Sequence, residues 1–139
     1  MTKYFLLFSL SITITSSLSG KNLKLANTFS DGIVFQRDKP INIWGSATPN
    51  KPINLIFGNE TKTSQSDDAG KWTITIGPLK ASSEPRAMSV KSEGTEIKIE
   101  DILVGEVWVC GGQSNMAWTL RGSTNADIEI PAANYPEIR

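Results

Sequence analysis

Between residues 23 and 102, apolar and polar residues alternate with a period of two, in runs too short for helices. Ile41/Ile43, Ile53/Leu55/Phe57, Trp72/Ile74/Ile76, Met88/Val90 and Ile97/Ile99 each skip one intervening residue. A β-strand turns successive side chains to opposite faces, so each run lays an apolar face on a core and a polar face in water. Turn-forming clusters separate the runs: "SDG" at Ser30, "RDKP" at Arg37, "GSATPNKP" at Gly45, "DDAG" at Asp67 and "SEGT" at Ser92. Gly, Pro, Asn and Asp supply conformations through which a strand does not continue. The chain is therefore expected to be mainly β, with a small antiparallel β-sandwich over residues 20–102.

Length and charge narrow the rest. A chain of 139 residues holds one ordinary domain, or a small domain and part of another. Its 39% hydrophobic and 20% charged residues are a globular composition. Lys+Arg and Asp+Glu stand at 14 each with no basic cluster, so nothing supports a nucleic-acid partner. Lys3, the apolar run "YFLLFSLSITIT" and the small residues Ser17-Leu18-Ser19 have the layout of an export signal over residues 1–19, cut before Gly20. That run is shorter than the ~20 apolar residues a spanning helix needs, and no cysteine beside the cut offers a lipid attachment point. The expectation is a periplasmic or extracellular protein without a stable membrane anchor.

The single cysteine, Cys110, excludes an intrachain disulfide. A reactive thiolate needs a neighbour that depresses its pKa, commonly a histidine, and the chain has no histidine. Cys110 is expected to be a small buried apolar side chain at a strand end. Trp44 and Trp72 occupy apolar positions of their strands and are expected in the core. Trp118 lies near the candidate site, its role open. "SDDAGKW" at Ser66 lacks the alternating carboxylates and distal Glu of a calcium loop and fits a hairpin turn. Asn59-Glu60-Thr61 is a formal glycosylation sequon.

After residue 102 the pattern changes. "EVWVC" is continuous and apolar, as in a strand buried on both faces, and predicts the first strand of an incomplete α/β domain over residues 103–139. In "NADIEIPAANYPEIR", Asn125 suits a helix cap, while Pro131 removes a donor and clashes with the preceding turn. A helix beginning near Ile130, or two short turns, is expected. Between these segments stands Gly112-Gln113-Ser114-Asn115-Met116. It begins like the G-x-S-x-G nucleophile elbow, but Met116 replaces the second glycine. Glycines that allow a sharp turn off a strand, followed by backbone N–H groups, suit a nucleophilic hydroxyl and an oxyanion.

"LVGEVWVCGGQSNMAW" resembles the nucleophile block of the sialate O-acetylesterase family, whose catalytic domain is of the SGNH-hydrolase type. "LKLANTFSDGIVFQRDKPINIWGSATPNKPINLIF" and "DDAGKWTITIGPLKA" resemble its N-terminal β-domain, and "IPAANYPEIR" resembles the segment soon after the nucleophile. The resemblance implies that Ser114 is the catalytic nucleophile and that its N–H forms part of the oxyanion hole. It also implies an O-acetylated glycan as substrate and no metal or organic cofactor. The family's catalytic His and its orienting Asp come from a later block that is absent here, so the base is expected beyond residue 139. The chain reads as an N-terminal fragment or the product of a truncated gene, inactive by itself. Gly111 departs from the Ser that often follows the Cys in the family. The alternative is a secreted, non-catalytic β-sandwich that binds glycans through exposed aromatics.

Overall fold

The computed structural model describes residues 23–139; the expected export signal lies outside the described residues. Eight strands follow one another: β1 (Lys24–Leu25), β2 (Val34–Gln36), β3 (Ile41–Ser46), β4 (Pro52–Phe57), β5 (Glu60–Gln65), β6 (Lys71–Ile76), β7 (Ser82–Ser92) and β8 (Thr95–Gly105). They form two sheets, a three-stranded one in the order β1-β3-β6 and a five-stranded one in the order β2-β8-β7-β4-β5. The mainly β expectation holds, and the alternating runs fall on β3, β4, β6, β7 and β8, while β1, β2 and the polar β5 carry no such run.

The core follows from the period of two. Ile41, Ile43, Trp72, Ile74 and Ile76 of the smaller sheet meet Ile53, Leu55, Phe57, Met88, Val90 and Ile99 of the larger one in a single buried cluster. Each such side chain, removed from water, contributes roughly 1.5–3 kcal/mol before the entropy of ordering is counted. Phe35 and Phe57 meet edge to face, with ring centroids 5.6 Å apart. The "DDAG" turn is fixed by Asp67, whose Oδ1 accepts the N–H groups of Ala69 (2.9 Å) and Lys71 (2.7 Å). The turn expected there forms, but not as a hairpin: it carries the chain from β5 in the larger sheet to β6 in the smaller one, and the two strands do not pair.

Two features depart from the sequence expectation. Trp72 is buried, but Trp44 is 44% exposed. It falls between the inward residues Ile43 and Gly45, so it projects from the outer face, where Phe29 packs edge-on against it at 4.8 Å. The other is the pairing of β2 with β8, which is parallel while every other pairing is antiparallel. β2 thereby runs alongside the last third of β8, the stretch that leads to Ser114.

β8 is also bent before it ends. Met88 of β7 opposes Ile99 and Arg86 opposes Ile102, so β8 carries one extra residue between these pairs. Asp101 lies inside this bulge with φ 57°. A bulge of this kind kinks its strand and increases the local twist. Beyond it Ile102, Leu103 and Val104 are all buried, and the strand continues to Gly105.

Candidate active-site segment

The strand expected through "EVWVC" does not form. β8 stops at Gly105, and Val107, Trp108 and Val109 are 49%, 82% and 97% exposed. A strand needs partners for its N–H and C=O groups, and no described strand lies beside residues 106–110. The expectation of a buried Cys110 fails with it, since the thiol is exposed.

Side chains, rather than a neighbouring strand, govern the exit from β8. The backbone ladder ends where the Arg37 N–H donates to the Gly105 carbonyl at 2.9 Å. Asp38, at φ 55°, then turns its N–H away to the Leu79 carbonyl (2.8 Å). The Gln36 carboxamide takes up the pairing: its Oε1 accepts the Val107 N–H at 2.9 Å, and its Nε2 donates to the Glu106 carboxylate at 3.0 Å. Arg37 lies between Asp38 (2.8 Å) and Glu106 (3.8 Å), and Lys80 closes on the other oxygen of Asp38 at 2.7 Å. The Lys80 and Arg37 hydrogen bonds hold the Asp38 carboxyl below its ordinary value of 3.8. Asp38 in turn, by hydrogen bond and charge, raises the Arg37 guanidinium.

Seven residues further on, Ser114 opens a 3₁₀ turn over Ser114–Ala117. The Met116 N–H donates to the Gln113 carbonyl at 2.9 Å, which turns the chain sharply at the serine. Gly112 permits this approach, since a Cβ there would lie 2.6 Å from Met116 Cγ. Met116, which replaces the second glycine of the elbow motif, folds back over the first. All four residues of the turn are exposed. Among the described residues nothing hydrogen-bonds Ser114 Oγ or accepts from the Ser114 and Asn115 N–H groups, and both residues are exposed.

The remaining tail is built from short pieces. A second 3₁₀ turn spans Leu120–Gly122, and helix α1 spans Ala126–Ala132. The helix begins at Ala126, four residues before the expected Ile130, and is preceded by Asn125, which holds the left-handed conformation (φ 64°) and whose carbonyl accepts the N–H groups of Ile128 and Glu129. Pro131 is accommodated one residue before the helix ends. Asp127 and Glu129 in its first turn complement the positive end of the helix. At its far end the tail returns to the sandwich, where Arg139 grips Asp101 in the bulge through its two terminal guanidinium nitrogens, each at 2.9 Å.

Sequence reasoning isolates Ser114 but misses Gln36, Asp101 and Arg139. The "QRD" string at Gln36 carries a weak signal, a long amide at a strand end just before a charged turn. No group of three or more His, Cys, Asp or Glu able to hold a metal occurs among the described residues. No described helix is long and apolar enough to cross a membrane.

No protein-family model matches the chain. It is 29% identical over 139 residues to a protein of Mus musculus named sialate O-acetylesterase, covering 92% of this chain and 26% of that protein. The human protein of the same name is 27% identical over 132 residues, covering 87% and 25%. Among solved structures, a carbohydrate acetylesterase from Xanthomonas citri matches with a TM-score of 0.75 at 34% identity, over 81% of this chain and 26% of that one. The chain thus spans about a quarter of the length of the relatives it matches.

Proposed function

We propose that this chain, sialate O-acetylesterase-like over most of its length, carries the serine nucleophile of an exported esterase that removes acetyl groups from sugars. The similarity supports acetylester hydrolysis at the level of the family. The observation that carries the finer reading is the presentation of Ser114, exposed on a tight turn beyond the last strand with two free backbone N–H groups beside it.

In the proposed reaction Ser114 Oγ attacks the acetyl carbonyl of an O-acetylated glycan. The carbonyl π electrons move onto oxygen, and in this reading the Ser114 N–H donates to that oxyanion. The alkoxide of the sugar leaves with a proton, and water then releases acetate from the acyl-serine. A serine hydroxyl attacks efficiently only when a base removes its proton. The chain has no histidine, and no described residue accepts a hydrogen bond from Ser114 Oγ. In this reading the base comes from outside these 139 residues, and the chain by itself should be silent. The relatives are named for hydrolysis rather than for glycan binding, and the non-catalytic alternative gains nothing from them.

The test is acetate release from acetylated sugars by two proteins, each with and without Ser114→Ala. One is the 139-residue chain; the other is a chimera in which it replaces the matching segment of the Xanthomonas citri enzyme. The chain alone should stay at background, and the chimera should lose at least about a thousandfold in kcat on substitution, as serine-triad knockouts do. Chimera activity that survives Ser114→Ala would remove the serine from this role. Export rests on Lys3, the apolar run and Ser17-Leu18-Ser19. Secreted material should begin at or near Gly20 on N-terminal sequencing, and intact Met1 on a soluble intracellular product would refute it.

A further inference from the structure

We infer that Gln36 is a positioning residue, whose side-chain amide adds one rung to the β2–β8 ladder and thereby sets the direction in which the Ser114 segment leaves the sandwich. Its functional meaning rests on the proposed role of Ser114; its geometry does not.

The argument begins with where the backbone ladder fails. β2 and β8 run parallel, with Val34 opposite Leu103, Phe35 opposite Val104 and Gln36 opposite Gly105. The next residues of β2 cannot continue, because Asp38 takes a left-handed conformation and spends its N–H on Leu79. From Glu106 onward the chain would leave with its first N–H groups unpaired. A carboxamide has the same donor and acceptor pair as a peptide unit. The Gln36 side chain uses both, accepting from the Val107 N–H (2.9 Å) and donating to the Glu106 carboxylate (3.0 Å). Its Nε2 also donates to the Arg37 carbonyl at 3.3 Å, which ties the amide to its own strand end.

The arrangement is selective in its chemistry. A Glu at position 36 could still accept from Val107 but could not donate to Glu106. An Asn would be one methylene short. Arg37 adds a second, looser hold on Glu106 at 3.8 Å, and the Lys80–Asp38 pair fixes Arg37 in turn. Six residues separate Val107 from Ser114, and none of residues 106–113 is buried. No packing interaction therefore replaces the clasp in aiming this segment. A misplacement of about 1 Å can cost about a hundredfold in rate, so the heading set at Val107 bears on where the serine is held.

The experiment measures the clasp without using activity. Amide exchange at Val107 is followed in the full chain and in Gln36→Met, Gln36→Asn and Gln36→Glu. Loss of one such hydrogen bond should speed Val107 exchange about tenfold in the Met and Asn variants. The Glu variant keeps the acceptor but sets its carboxylate against that of Glu106, so its exchange should fall between those of the parent and the Met variant. Amides of Leu55 and Ile76 in the core should be unchanged throughout. A nitroxide on Cys110, the single thiol, should tumble faster in the Met and Asn variants than in the parent. The Asn variant serves if the Met variant misfolds. Unchanged Val107 exchange in both would overturn the proposal, as would equal loss of protection across β2, β8 and the core in all three variants. A catalytically silent Ser114 would instead overturn the proposed function and leave the clasp in place.

Discussion

Gly45 shows how much one hydrogen atom decides in this sandwich. It lies in the central strand of the smaller sheet, opposite Leu25 on one side and Trp72 on the other. A Cβ built on it would collide with the Lys24 carbonyl oxygen and stand 2.8 Å from Trp72 Cζ2. Neither can yield cheaply, because the first is backbone in a paired strand and the second is a buried ring. Gly45→Ala should therefore cost about 1–3 kcal/mol, the usual range for overpacking, despite the small gain in strand propensity. For a sandwich of this size that lowers Tm by very roughly 4–8 °C per kcal/mol. Thermal unfolding followed by tryptophan fluorescence reads it directly, and an unchanged Tm would mean that β1 can move aside. The same site explains why Trp72 and Trp44 part company: the indole fills the space a side chain at position 45 would need, while Trp44 points the other way.

Strands were legible because burial in a sandwich repeats every second residue, and Ile53, Leu55 and Phe57 alternate cleanly with exposed neighbours. What escaped were the ends and the partners. "EVWVC" has strong strand-forming residues, but propensity in a strand expresses packing against neighbours, and residues 106–110 have none. Conversely, Ile102, Leu103 and Val104 continue β8 past the apparent break in pattern, because the bulge at Asp101 re-aims them into buried positions. The helix was misplaced for a related reason. Pro131 forfeits one hydrogen bond near the helix end, a smaller loss than excluding the whole segment, so α1 forms ahead of it. Ser114 was legible from its local glycines. Gln36 was not, because its task depends on a pairing with Gly105, which only the folded sheet brings beside it.

At the scale of the whole molecule, burial stops abruptly. Every buried hydrophobic residue among those described lies between Leu23 and Val104, and of residues 106–139 only Ala126 is not classed as exposed. Ten large apolar side chains of this tail face solvent, among them Trp108, Trp118, Ile128 and Ile138. What ties the tail to the sandwich is polar: the Gln36 and Arg37 contacts near its start and the Arg139–Asp101 pair at its end. Partly exposed ion pairs contribute about 0–1 kcal/mol each, whereas ordering a residue costs on the order of 1–2 kcal/mol in backbone entropy. Two or three such ties cannot hold more than thirty residues closed, so the tail should open far more often than the sandwich unfolds. Chymotrypsin should cut first at Trp108, Trp118 or Leu120 and leave a product that retains β8 to Gly105. That product should melt close to the intact chain, because it keeps every core residue. Mass spectrometry of the limit digest, with a melting curve of the product, decides the matter. A tail as resistant as β4 or β6 would show that its apolar side chains are covered in solution, and a product that melts much lower would show that residues 106–139 stabilise the sandwich by more than their polar ties.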